Sequence, residues 1–155
     1  MARHWEDAWH YANRITDGEI AACKWVRLAC QRFIDDMHHG HQRGLAFSPD
    51  KAQDILDYYN LTPHIKGEWA GQPITPSDWQ TFALVNLFGW YRADGTRRFR
   101  SAYIEVGRKN GKSTFVAPVG LYMLKEDGEA GSEVYSAATS RDQARIVFDD
   151  ARDMT

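Results

Sequence analysis

Residues 104–115, IEVGRKNGKSTF, constrain the chain more than any other stretch: an aliphatic run gives way to a basic, glycine-bearing turn, and Lys-Ser-Thr then opens a helix-like pattern. A phosphate-binding loop has this order. It needs inward-pointing backbone N–H groups, the positive end of a helix dipole, a lysine for the terminal phosphates and a hydroxyl for Mg2+. Gly111, Lys112 and Ser113 stand in the last three places of that motif, but the first glycine, Gly107, comes one place late, because Val106 fills the standard position. The plainer reading is a basic turn in which Gly111 merely supplies a positive φ. Pro118, nearly two turns into the following helix, removes a backbone bond and predicts a kink beyond the phosphate-facing first turn.

The surrounding pattern favours the cradle. A strand is expected over 98–106 (RFRSAYIEV), then the loop, a helix over 112–124, a second strand over 133–138 (EVYSAA) and a last helix from SRDQARIVFDDARDM. Strand, loop, helix, strand, helix is the order of a parallel α/β sheet with crossover connections. Upstream, Thr75 and Asp78 with Pro76 between them form a capping-box start for a helix over 76–88, and Asp94-Gly95 marks a tight turn. Residues 4–60 read as three helices, HWEDAWHYANRI, EIAACKWVRLACQRFIDDMHH and SPDKAQDILDYYNL, the last opened by Ser48-Pro49. The expected organisation is a helical N-terminal segment over 1–66 and the first part of an α/β domain over 67–155.

A chain of 155 residues fits one domain, or one small domain with part of another, and 43% hydrophobic content with six tryptophans suits a globular protein. No segment approaches the roughly 18 consecutive apolar residues of a membrane span, and the N-terminus does not resemble a secretory signal, so an intracellular protein is expected. Cys23 and Cys30, seven residues apart on one expected helix, are too distant to bridge and read as buried small hydrophobes. His38, His39 and His41 read as the solvated end of that helix rather than a metal site. A net charge of −2 argues against a generic nucleic-acid coat. Arg92, Arg97, Arg98, Arg100, Arg108, Lys109 and Lys112 nevertheless crowd residues 92–112, a run that by itself reads as a solvated face.

With RKNGKST after an aliphatic strand, DWQTFALVNLFGWYRADGTRRFRSAYIEV before it and EVYSAATSRDQARIVFDDA after it, residues 75–155 resemble the N-terminal ATPase region of the large terminase subunits of tailed bacteriophages. The resemblance implies an incomplete P-loop NTPase of the ASCE type, with a parallel sheet and helices, preceded by the helical segment. It implies ATP and Mg2+ as ligands, held by Gly107, Arg108, Lys109, Asn110, Gly111, Lys112, Ser113 and Thr114. Lys112 would neutralise the β and γ phosphates, Ser113 would ligate Mg2+, and Arg108 would act on or sense the γ-phosphate. Thr114 would add a hydroxyl near the α-phosphate. Gln80, in DWQ, sits where the family reads adenine, an amide being suited to a base that offers both donor and acceptor. Each has a plainer alternative. Gln80 suits the exposed side of its helix, Arg108 a solvated loop, Trp79 the core, and Thr139 or Ser140 the N-cap of the last helix.

The resemblance further implies a motor that packages double-stranded DNA into procapsids in the host cytoplasm. It would contact the DNA backbone without sequence preference, work with portal and small terminase subunits, and assemble as a homo-oligomer when full length. The family's Walker B strand, an apolar run ending in Asp-Glu, has no counterpart here, because IVFDDARD is amphipathic. A nuclease is missing as well. The expectation is therefore an N-terminal fragment, inactive alone. A helicase-like P-loop translocase, or a non-hydrolysing nucleotide-binding or assembly module, remains as the alternative.

Overall fold

The structure, a computed structural model, describes residues 2–108 and 110–155; Lys109, one of the expected phosphate ligands, lies outside the described residues. Two compact units emerge, residues 1–56 with 76–103 and residues 57–75 with 104–155.

In the first unit, helix α1 (Glu6–Thr16) buries Ala8, Ala12 and Ile15, the four-then-three spacing of a single apolar stripe. It packs against α2 (Lys24–His39) and α4 (Asp78–Gly89). Phe33, fully buried on α2, is the hub of the core: its ring lies 5.6 Å from Phe82 of α4 and 6.3 Å from both Phe47 and Trp90. These separations are those of favourable tilted and edge-to-face aromatic pairs. Phe47 and Trp90 belong to strands β1 (Leu45–Phe47) and β2 (Trp90–Arg92), an antiparallel pair in which they face each other. The Asp94-Gly95 turn forms as its sequence dictates. Gly95 takes a φ of 79°, and Asp94 Oδ1 accepts the Thr96 N–H at 2.9 Å, which lets Arg97 fold back on Tyr91.

Helix α3 (Pro49–Leu61) begins in the first unit and ends in the second. The second unit holds the end of α3, the turn 62–75, and helices α5 (Lys112–Lys125) and α6 (Arg141–Asp153), which pack on each other.

Several expectations need correction. Among the described residues the one sheet is the antiparallel pair β1–β2, and neither 98–106 nor 133–138 is a strand. A strand exists only through a ladder partner. These segments expose Tyr103 by 87% and Tyr135 by 82% and pair with no other strand. Helix α4 starts at Asp78 rather than near residue 76, capped by Ser77 with Gln80 instead of Thr75 with Asp78. Proline-76 thus lies outside the helix. Helix α2 starts only at Lys24, which leaves Cys23 exposed at its N-cap while Cys30 is buried, so the two thiols do not share a core face.

Candidate functional site

The loop of the second unit is built by backbone conformation. Gly111, at φ 66° and ψ 27°, is the N-cap of α5 in the left-handed region, where a side chain is strained and glycine is not. That turn starts the helix cleanly, the Phe115 N–H reaching the Gly111 carbonyl at 2.8 Å. The N–H groups of Lys112, Ser113 and Thr114 precede the first intrahelical bond and are the donors that every helix N-terminus leaves over. Seven sequence-expected residues, Gly107, Arg108, Asn110, Gly111, Lys112, Ser113 and Thr114, therefore share one turn and one helix start.

Lys112 points back over the loop. Its Nζ donates to the carbonyl oxygens of Val106 and Gly107, at 2.9 Å each. An ammonium carries three donors, so two brace the mouth of the loop and one remains for an anion. Asn110 Nδ2 donates to the Arg108 carbonyl at 3.3 Å, which tightens the turn from inside. At Gly107 a Cβ would stand 3.2 Å from Asn110 Nδ2, so glycine one place late still serves close approach. Arg108 is exposed, and Ser113 and Thr114 are half-buried at the first turn. A helix start with a lysine and two hydroxyls is a donor set that fits a triphosphate, and the Ser113 hydroxyl suits a hard cation such as Mg2+.

Residues 78–154 match the family described as terminase large subunit, ATPase domain. That stretch is a terminase ATPase region. Terminase large subunits of phages take part in DNA packaging, and an ATPase domain implies use of a nucleotide. No curated protein and no solved structure matches the chain.

Within the terminase region, Gln80 belongs to the first unit and not to the loop. Its Oε1 accepts the Ser77 N–H at 2.8 Å, completing the capping box of α4. Trp79 is half-buried. Ser140 is the N-cap of α6, its hydroxyl accepting the Gln143 N–H at 3.3 Å, while Thr139 Oγ1 donates to Gln143 Oε1. Asp149 and Asp150 lie in α6, and Asp150 is buried beneath Lys66, whose Nζ donates to it at 2.6 Å.

Sequence reasoning missed one residue at the loop's back. Tyr59 of α3, 1% exposed, donates its hydroxyl to the carbonyl of Phe115 in the first turn of α5. Burial holds that phenol well above its ordinary pKa, so it stays a donor. The signal was present: Ala52, Ile55, Leu56 and Tyr59 form one buried helical stripe, and a tyrosine in such a stripe needs a partner for its hydroxyl.

Proposed function

We propose that the chain carries the phosphate-binding part of a terminase motor, which hydrolyses ATP to drive double-stranded DNA into a procapsid. The observation that carries this reading is the left-handed Gly111 followed at once by Lys112, whose ammonium already lies over the loop mouth. The N–H groups of residues 112–114 would bind phosphate oxygens, Lys112 would offset the β and γ charge, and Ser113 would hold Mg2+. The ion, when bound, supplies further charge neutralisation on the phosphates. Arg108, exposed on the turn, is assigned to the γ-phosphate, and Lys109 and Asn110 complete the cradle.

Gln80 is assigned to the adenine. Its amide oxygen accepts the Ser77 N–H and has a second lone pair for a base donor, while its amide nitrogen can donate to a base acceptor.

The segments 98–106 and 133–138, which are not strands here, would become strands of a parallel sheet only once further strands pair with them. In support, a cavity of about 640 Å3 lies between α5, α6 and residues 134–137, lined by Val116, Leu121, Leu124, Val134, Val147 and Phe148. Parallel sheets bury both faces, and these apolar residues suit such a face. DNA would be held through its backbone, with the portal, the small terminase subunit and further copies of the chain as partners in the host cytoplasm.

The test is nucleotide affinity in the Lys112→Ala chain. Loss of one charge-assisted contact weakens binding roughly ten- to hundred-fold. Equal affinity in wild type and variant refutes the cradle.

A further inference from the structure

Helix α5 carries three of the proposed ligands, Lys112, Ser113 and Thr114, in its first turn, and it has a weak point just behind them. Pro118 has no N–H to give to the carbonyl of Thr114, and its ring crowds that turn. With that bond missing, the first turn that carries Lys112, Ser113 and Thr114 is tied less firmly to the rest of the helix. Two tyrosines from the end of α3 meet the helix there. Tyr59 donates its hydroxyl to the Phe115 carbonyl, with its ring 6.3 Å from the Phe115 ring, and Tyr58 stacks edge-on against Tyr122 at 5.5 Å.

We propose that Tyr59 is a positioning residue for the phosphate loop: its hydroxyl holds, from outside the helix, the Phe115 carbonyl, next to the Thr114 carbonyl that Pro118 leaves without its intrahelical donor. The inference rests on the phosphate reading above for its functional consequence, and on the Tyr59–Phe115 bond and Pro118 for its structural one. Placement follows from the same geometry. Phe115 is the first residue whose N–H is bonded within the helix, to Gly111, and the Tyr59 bond to its carbonyl anchors the 115–116 peptide, which directly follows the residues that carry the ligands. A phenylalanine at 59 would keep the ring packing and lose only the donor, which makes Tyr59→Phe the decisive variant.

Two readouts on the full chain separate the structural from the functional claim. In the nucleotide-free chain, Tyr59→Phe should speed amide hydrogen exchange at Phe115, Val116, Ala117 and Val119 by roughly fivefold, the worth of one hydrogen bond. Helix α6 should keep its protection. In a Pro118→Ala background, which restores the N–H, the same substitution should change exchange less than about twofold, because the helix then closes its own ladder. Unchanged exchange, a uniform rise across α5 and α6, or an equal effect in both backgrounds overturns the proposal. With adenylyl imidodiphosphate and Mg2+ as the probe, Tyr59→Phe should also weaken binding roughly fivefold. A wild-type chain that binds no probe sinks the phosphate reading and Tyr59's role toward phosphate with it. A wild type that binds, with a variant that binds equally well, overturns the role of Tyr59 alone.

Discussion

Lys66 Nζ lies 2.6 Å from Asp150 Oδ1, tying the turn 62–75 to α6 across 84 residues of sequence. The two ends are unequal, since the Lys66 side chain is 71% exposed and that of Asp150 only 8%. Removing the lysine leaves a carboxylate stranded in a poor solvent, whereas removing the carboxylate returns an ammonium to water. Lys66→Met should therefore lower the urea midpoint more than Asp150→Asn. Equal losses, or the reverse order, would show that the carboxylate is solvated after all.

Alkaline pH should weaken the first unit in a defined window. Burial pushes the Cys30 thiol up to about 11 from an ordinary value of 9.0, so the fold favours its neutral form. The sign follows: below pH 9 both folded and unfolded chains hold the proton and the full contribution is present. Between 9 and about 11 only the unfolded chain releases it, and stability falls with rising pH. The hydrogen bond to Asp150 raises Lys66, so its contribution is lost in the same direction, beyond its ordinary 10.5. Urea midpoints measured against pH should drop less steeply between 9 and 11 in Cys30→Ala. A thiol reagent should meanwhile label exposed Cys23 at once and Cys30 only on unfolding.

Asp36 of α2 is a buried carboxylate held by Arg43 and Arg98, and Arg98 also lies over the rings of Trp90 and Phe99. The Arg98 side chain is 15% exposed and that of Arg43 is 55%. Arg98→Ala removes the better-buried partner together with its ring contacts and should cost about 3 kcal/mol in chemical denaturation. Arg43→Ala should cost clearly less. If the two losses match, the buried pair is not what holds Asp36.

The turn at Gly111 and the helix start at Lys112 were legible in the sequence because their information is local: a left-handed glycine before a helix needs no distant partner. Helix α4 was legible as a helix, but its start was misplaced by two residues. Two overlapping capping boxes compete there, Thr75 with Asp78 and Ser77 with Gln80, and only the second leaves Pro76 outside the helix. The expected strands at 98–106 and 133–138 failed for the opposite reason. Alternating apolar residues give strand propensity, yet a strand is a pairwise object and neither segment has a ladder partner here. Where residues 45–47 and 90–92 do pair, three-residue strands are too short to show a period of two. Tyr59 escaped notice because its partner is a backbone carbonyl 56 positions away, which no motif spells out.

Gly89, the last residue of α4, is a glycine whose role is space. A Cβ there would stand 2.5 Å from Phe47 Cε2 and 3.1 Å from the Ala52 Cβ, and its carbonyl accepts the Ser48 N–H at 2.8 Å. Alanine favours helices by about 1 kcal/mol over glycine, but that gain belongs to helix interiors and is small at a terminal position. Neither neighbour yields easily, because Phe47 is wedged between Trp5 at 5.3 Å and Trp90 at 5.1 Å, and the Ala52 methyl has no rotamer to change. Overpacking should win, and Gly89→Ala should destabilise the chain by about 1–3 kcal/mol. Trimming the obstacle tests the cause: adding Phe47→Leu to Gly89→Ala should cost less than the two single losses summed. Strict additivity in urea melts, or a stabilised single variant, would mean that the close approach of Gly89 to Phe47 does not limit this position.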